Sequence, residues 1–189
     1  MTTTLLVDRN HSFPHGVRIW TLLIACSVTP IMIFIYQPVR IEGSSMAPLL
    51  ADRDAIFVNR MVYRLAPIQR GDVVVFDYPL DRRTSFIKRI VALPGETIEI
   101  RQGLVYVNGN WLPEPYVPSQ YCDLSDFGPL KVPSDSYFVM GDHRSSSNDS
   151  RAFGTVATRL IHGRAVLAYW PVSHFGSLSA TASTQAKNK

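Results

Sequence analysis

Ile41-Glu42-Gly43-Ser44-Ser45-Met46-Ala47-Pro48 follows closely on the single membrane-length apolar run of the chain. A serine beside a glycine is ordinary turn chemistry. Alone, the octet reads as a turn after an anchor. Pro48 restricts the backbone before it, because the residue preceding proline avoids the helical region. Two strands are expected to flank the turn within residues 37–60, with Leu49, Leu50, Ile56, Phe57 and Val58 supplying core.

Upstream, Ile19 to Tyr36 carries no charge, and Trp20 and Tyr36 stand near its ends. At 1.5 Å per residue this run makes a helix of about 27 Å, close to the ~30 Å hydrocarbon core. Interfacial aromatics suit its ends, and membrane helices tolerate a proline such as Pro30. The run closes Ile35-Tyr36-Gln37-Pro38, without the small-x-small site of a cleaved signal. Leu23-Ile24-Ala25-Cys26 loosely matches a lipoprotein signal, but the apolar run continues well past Cys26. An uncleaved anchor over 19–36 is expected. A polar segment, 1–18, precedes it. A folded domain over 37–175 and a small-residue, polar tail over 176–189 follow it.

Composition narrows the class. The chain has 189 residues, 46% hydrophobic and 18% charged, with net charge +4. That suits one folded domain behind a membrane segment rather than a disordered chain. The charge suits anionic headgroups of a lipid bilayer. Lys and Arg are scattered rather than clustered, so nucleic acid is not expected as a partner. Cys26 and Cys122 form no disulfide framework or zinc spacing, and no HExxH pattern occurs. No metal and no cofactor are expected.

Downstream, the pattern is mostly β. Val73-Val74-Val75-Phe76 is a continuous apolar run after Arg70-Gly71-Asp72 and reads as a buried strand. Asp81-Arg82-Arg83-Thr84 reads as a polar turn. Along Phe86 to Leu93, Phe86, Lys88 and Ile90 share one face while Ile87, Arg89 and Val91 share the other. Both faces are apolar and each carries a cation, so at least one cation is drawn inward. There it must lose its charge or gain a partner. Thr97 to Arg101 alternates, and Asn108-Gly109 signals a hairpin. Residues 113–136, rich in Pro, Ser and Asp, read as a long loop. Tyr137 to Met140 and Leu160 to Trp170 read as closing strands.

The octet, the segment Arg70 to Phe76, the segment Phe86 to Glu96, and Gly141-Asp142-His143-Arg144-Ser145-Ser146-Ser147-Asn148-Asp149-Ser150-Arg151 occur in this order. Together they resemble the type I signal peptidase family of serine proteases, peptidase family S26. The resemblance spans roughly residues 39–172. It implies a mainly β fold: an antiparallel β catalytic domain behind one N-terminal transmembrane helix. It also implies a single-pass protein of the cell (inner) membrane, with 1–18 cytoplasmic and the catalytic domain on the extracytoplasmic side.

The expected chemistry pairs Ser45 with Lys88. Serine is a poor nucleophile until a base takes its proton. A buried lysine loses its charge readily and then acts as that base; Ser-Lys pairs are known variants of the triad. Lys88 falls where the family has its general base. A snorkelling strand lysine is the plain alternative. His143 is a rival base, in a position where the family usually has Asn. The Ser45 backbone N–H is the expected oxyanion donor. Many relatives supply a second donor from a serine at the position of Gly43, while other branches of the family also have glycine there; the second donor would then be a backbone N–H or a water.

By motif position, Ser147 would orient Lys88, while Arg89, Asp142, Arg144, Asp149 and Arg151 would be structural and close to the pair. An interior Arg89 wants a carboxylate, and Asp142 is the attractive one. Ser145 and Ser146 depart from the family's Asp and Asn. Val39, Ile41, Met46, Leu50, Phe86 and Ile87 would wall the substrate site, with ordinary core packing as the alternative for each. The implied substrates are signal peptides of secreted preproteins, with small residues at −1 and −3, bound as an added strand. A conjugation-type peptidase dedicated to a pilin, a self-cleaving Ser-Lys repressor and an inactive membrane-tethered β module are the other readings. The anchor, and the lack of a helix-turn-helix before Ser45, argue against the repressor.

Overall fold

The structure, a computed structural model, describes residues 26–27 and 34–178. Segment 1–18, most of the 19–36 run and residues 179–189 lie outside the described residues. Among the described residues no helix is long and apolar enough to cross a membrane.

Among the described residues, twelve antiparallel strands form two sheets. They are β1 (Tyr36–Arg40), β2 (Ala55–Asn59), β3 (Val73–Tyr78), β4 (Asp81–Ala92), β5 (Thr97–Arg101) and β6 (Leu104–Val107), followed by β7 (Asn110–Trp111), β8 (Phe127–Lys131), β9 (Ser136–Met140), β10 (Val156–Ala157), β11 (Ile161–Trp170) and β12 (Gly176–Ser177). The larger sheet runs β1-β2-β11-β3-β4-β9-β10, with β12 on β11. The smaller runs β7-β6-β5-β8.

β3 shows why the large sheet is covered on both sides. Val73 and Val75 pack with Ile41, Met46, Leu50, Ile56 and Val58. Val74 and Phe76 pack with Ile90, Val139, Val156 and Leu160 in a second core. Alternate residues of one strand thus enter two cores, which a continuous apolar run requires. Val91 and Ala92 lead β4 into a third core beneath the small sheet, with Ile98, Ile100, Val105 and Phe138. The β6–β7 turn is Asn108-Gly109, both at positive φ (52° and 79°), the geometry of a two-residue hairpin.

Several elements differ from the sequence pattern. Asp81 to Thr84 belong to β4; the hairpin turns at Pro79-Leu80, two residues earlier. The stretch 113–136 is not structureless. It holds a 3-10 turn, Ser119–Tyr121, and strand β8, whose Gly128-Pro129 hid its strand character. Leu160 closes a 3-10 turn, and β11 starts at Ile161. Gly176 and Ser177 pair with β11, and Leu178 is buried in the first core, so the folded unit runs beyond residue 175. The small side chains of Gly176 and Ser177 mask this role.

Ile90 is fully buried in the central strand β4. Ile90→Ala is expected to destabilise the fold by about 2–5 kcal/mol. Leu104→Ala, at a half-exposed site on β6, should change it by less than about 1 kcal/mol. Chemical denaturation of both variants checks the contrast.

Candidate active site

The Ser45 turn is held from three directions. Ile41 N–H donates to Asp54 O (2.8 Å) and Arg53 N–H to Ile41 O (2.9 Å), which ties its base to the start of β2. Gly43 N–H donates to Asp52 Oδ1 (2.8 Å). Met46 and Leu50 point into the first core, with 1% and 0% exposure. From across the site, His143 N–H donates to Ser45 O (3.1 Å). Ser45 is left half-buried at the edge of a cavity.

Lys88 arrives from β4. Its Nζ lies 2.6 Å from Ser45 Oγ and 3.0 Å from Ile87 O, with the Phe86 ring 5.3 Å away. Only 4% of the residue is exposed. Burial pulls the Lys88 pKa down from 10.5 to about 8, against the opposing charges of Asp149 and Asp142. A neutral amine at this distance is placed to accept a hydroxyl proton. The His143 ring has other neighbours: its Nδ1 is 3.2 Å from Ser44 O, and it meets the Tyr121 ring edge to face with centroids 4.7 Å apart.

The neighbouring cation has its own partner. Arg89 Nε and Nη2 donate to the two oxygens of Asp142 (2.8 and 2.6 Å), and Nη1 donates to Gly71 O (2.9 Å). Burial works against the guanidinium, but the Asp142 contacts hold its proton more tightly than usual. Adjacent side chains on β4 therefore meet opposite fates. Arg89 is buried and paired; Lys88 is buried and unpaired by any carboxylate among the described residues.

The turn after β9 closes the site. Asp149 accepts from Gly141 N–H (3.1 Å) and from Arg151 Nε (2.8 Å). Arg144 Nε donates to Gly141 O (3.0 Å), and both its terminal nitrogens donate to Glu114 (2.6 Å each). Ser147 Oγ is buried with no hydrogen-bond partner, and no hydrogen bond joins it to Lys88. It packs against Gly141, where an added Cβ would collide with Ser147 Oγ and the Ser45 carbonyl. Only glycine permits that approach of the two turns.

Val39, Ile41, Phe86 and Ile87 line the cavity with Ser45 and Lys88; its volume is about 480 Å³. Met46 and Leu50 do not line it. They are core beneath the nucleophile turn. Val75, Ser85, Ser146 and Asn148 also line it, and the sequence did not mark them as walls. Val75 was legible as core strand, and the Ser-rich turn offers several equivalent residues. β9 pairs with β4 only from Arg89 onward, which leaves the Ser85–Lys88 backbone edge on that side without a strand partner among the described residues. Glu114 was missed because its partner, Arg144, lies far along the chain and the surrounding loop has no periodicity.

A buried ammonium has a stability consequence. Below pH 8 Lys88 is protonated both folded and unfolded, and the native state carries the full desolvation cost. That cost fades as pH rises toward 10.5, where both states are neutral. Lys88→Met is expected to stabilise the fold by up to about 3 kcal/mol at pH 7. The gain should shrink towards zero above pH 10.5. Thermal melts of the two proteins across pH check both the sign and the window.

The profile of the family described as "Signal peptidase, peptidase S26" matches residues 16–170. A probable signal peptidase I-2 from Synechocystis sp. is 40% identical over 161 residues, covering 81% of this chain and 72% of that protein. A signal peptidase I from Bacillus caldolyticus is 34% identical over 171 residues, covering 84% and 93%. A crystal structure of a signal peptidase I from Enterococcus faecalis V583 aligns with TM-score 0.48 and 35% identity, over 52% of this chain and 97% of that one. With four-fifths of its length matched by relatives and a serine set against a buried lysine, the chain belongs to the signal peptidase family, peptidase S26.

Proposed function

We propose that this protein is a signal peptidase I, a serine endopeptidase that removes N-terminal signal peptides from preproteins with Ser45 as nucleophile and Lys88 as general base. The observation that carries the proposal is the 2.6 Å contact between Lys88 Nζ and Ser45 Oγ inside an apolar wall. Neutral Lys88 takes the Ser45 proton as Oγ attacks the scissile carbonyl. The oxyanion meets the Ser45 backbone N–H. Lys88 then gives its proton to the leaving amine, and a water attacks the acyl-enzyme with Lys88 again as base.

Ser147 orients the Lys88 amine in this reading. Supporting the role, its buried hydroxyl has no hydrogen-bond partner, and a buried hydroxyl wants one. Asp142 and Arg89 neutralise each other beside the pair, and Arg144, Asp149 and Arg151 hold the turn that carries Ser147. The substrate lies extended along the free Ser85–Lys88 edge and pairs with it as a strand does. Val39, Ile41, Phe86 and Ile87 wall a shallow cavity that favours small side chains at −1 and −3. The apolar 19–36 run anchors the domain in the cell membrane, on the extracytoplasmic side where signal peptides emerge. The bilayer is thus the second partner.

Cleavage of an Ala-x-Ala preprotein in detergent tests the reading. Ser45→Ala and Lys88→Ala should each lower kcat/KM by about a thousandfold or more. A Lys88→Ala protein with near-normal turnover removes Lys88 from the base role. For wild type, kcat/KM should rise about tenfold per pH unit on the acid side, then level off above about pH 8, where Lys88 is neutral. Folded wild type that leaves this preprotein intact, yet is acylated at Ser45, points instead to a dedicated substrate such as a pilin.

A further inference from the structure

Outside the dyad, a buried charged cluster joins the chain after β7 to the turn after β9. Glu114 follows Pro113, in a stretch with no helical or strand pattern. Its side chain is only 10% exposed. Both carboxylate oxygens accept from Arg144, at 2.6 Å each. Tyr116 Oη donates to Glu114 Oε1 (2.6 Å), while the Tyr116 ring lies 4.0 Å from the Arg89 guanidinium carbon. Burial and the Glu114 charge push the Tyr116 phenol well up, so it stays a proton donor.

Glu114 thus touches both cations that frame the site, Arg144 directly and Arg89 through Tyr116. Arg144 in turn holds Gly141 O, and Gly141 is the point where the Ser147 and Ser45 turns meet. The formal charges of Glu114, Asp142, Arg89 and Arg144 cancel. Asp149 also faces Lys88 and is tied to Arg151, which also pairs with Asp123. Losing Glu114 takes one negative charge from these surroundings, and more positive surroundings disfavour the ammonium.

We infer that Glu114, locked by Tyr116, is a positioning residue for the Ser45–Lys88 pair, holding the Arg144 turn in place and balancing the buried charge next to the base. The inference rests on the Ser/Lys reading above. Glu114 touches no reacting atom; it acts through Arg144 and Gly141. The small sheet and the segment leaving it are in this way mechanically joined to the chemistry.

The test follows the rate at which a serine-directed acylating inhibitor labels Ser45, and the cleavage rate per labelled serine, across pH. Glu114→Gln keeps the size and removes the charge. Its kcat per labelled serine should fall about tenfold, a fraction of the hundredfold that an ångström of misplacement costs. KM should change little, since Glu114 does not line the cavity. The acid limb of the labelling profile should move to lower pH, because the missing carboxylate makes Lys88 easier to deprotonate. Glu114→Gln with Arg144→Gln restores the charge balance, so its limb should return to the wild-type pH while kcat stays low. A Glu114→Gln enzyme with wild-type kcat and limb overturns the inference, even if it melts earlier. Where Glu114→Gln does not fold, Tyr116→Phe keeps every charge and the ring on Arg89 but drops the hydroxyl. It should lower kcat per labelled serine severalfold with the limb unmoved, and an unchanged kcat overturns the inference. Wild type that is not acylated at Ser45 overturns the peptidase reading and this inference together; acylated wild type beside an indifferent Glu114→Gln overturns the inference alone.

Discussion

In the proposed mechanism the amine of Lys88 must be out of water to serve as a base, and the rest of the domain accommodates that demand. A lysine on a solvated strand keeps its proton at neutral pH. On β4 it is flanked by Phe86, Ile87 and Ile90 and lies in a sheet covered on both faces. Ser45 supplies its nearest polar contact. The arrangement tolerates no nearby guanidinium with free charge, and Arg89, the very next residue, is fully engaged by Asp142 and Gly71. The same low dielectric that depresses the lysine makes an unpaired arginine prohibitive. Base activation and ion pairing are therefore two responses to a single burial.

Getting serine to that lysine is a problem of turns rather than of strands. The nucleophile turn is seated by Met46 and Leu50, which act as pegs in the core. It is then clasped by His143 through Ser45 O and by the close approach of Gly141. Neither contact involves the reacting hydroxyl. The geometry is set by backbone groups, leaving Oγ free to react.

How much of this was legible in the sequence depends on the range of each interaction. The double-sided apolar pattern of 86–91 showed that a cation had to go inward, because alternation along a strand is a local property. The order of the motifs added Ser45 as its partner and singled out the turn that bears Asp142 and Ser147. Met46 and Leu50 illustrate the limit. An apolar residue next to a nucleophile suits a substrate wall and a core equally, and only the packed structure separates the two. Strand β8 was lost because Gly128-Pro129 reads as a breaker, yet pairing with β5 outweighs that preference. Glu114 left no trace because its meaning lies wholly in a distant arginine.

The smaller sheet leaves the larger one at Ala92 and returns at Ser136, on strands that are direct neighbours. Ala92 and Phe138 face each other across that gap. Topologically the small sheet is one elaborated hairpin loop. Residues can therefore be gained or lost there during evolution without changing the strand order of the catalytic sheet. What limits such drift is the short path from Leu112 to Tyr116, whose side chains reach back to the arginines. Lineages are free to enlarge or trim the outlying strands, provided the few residues at this neck keep their place.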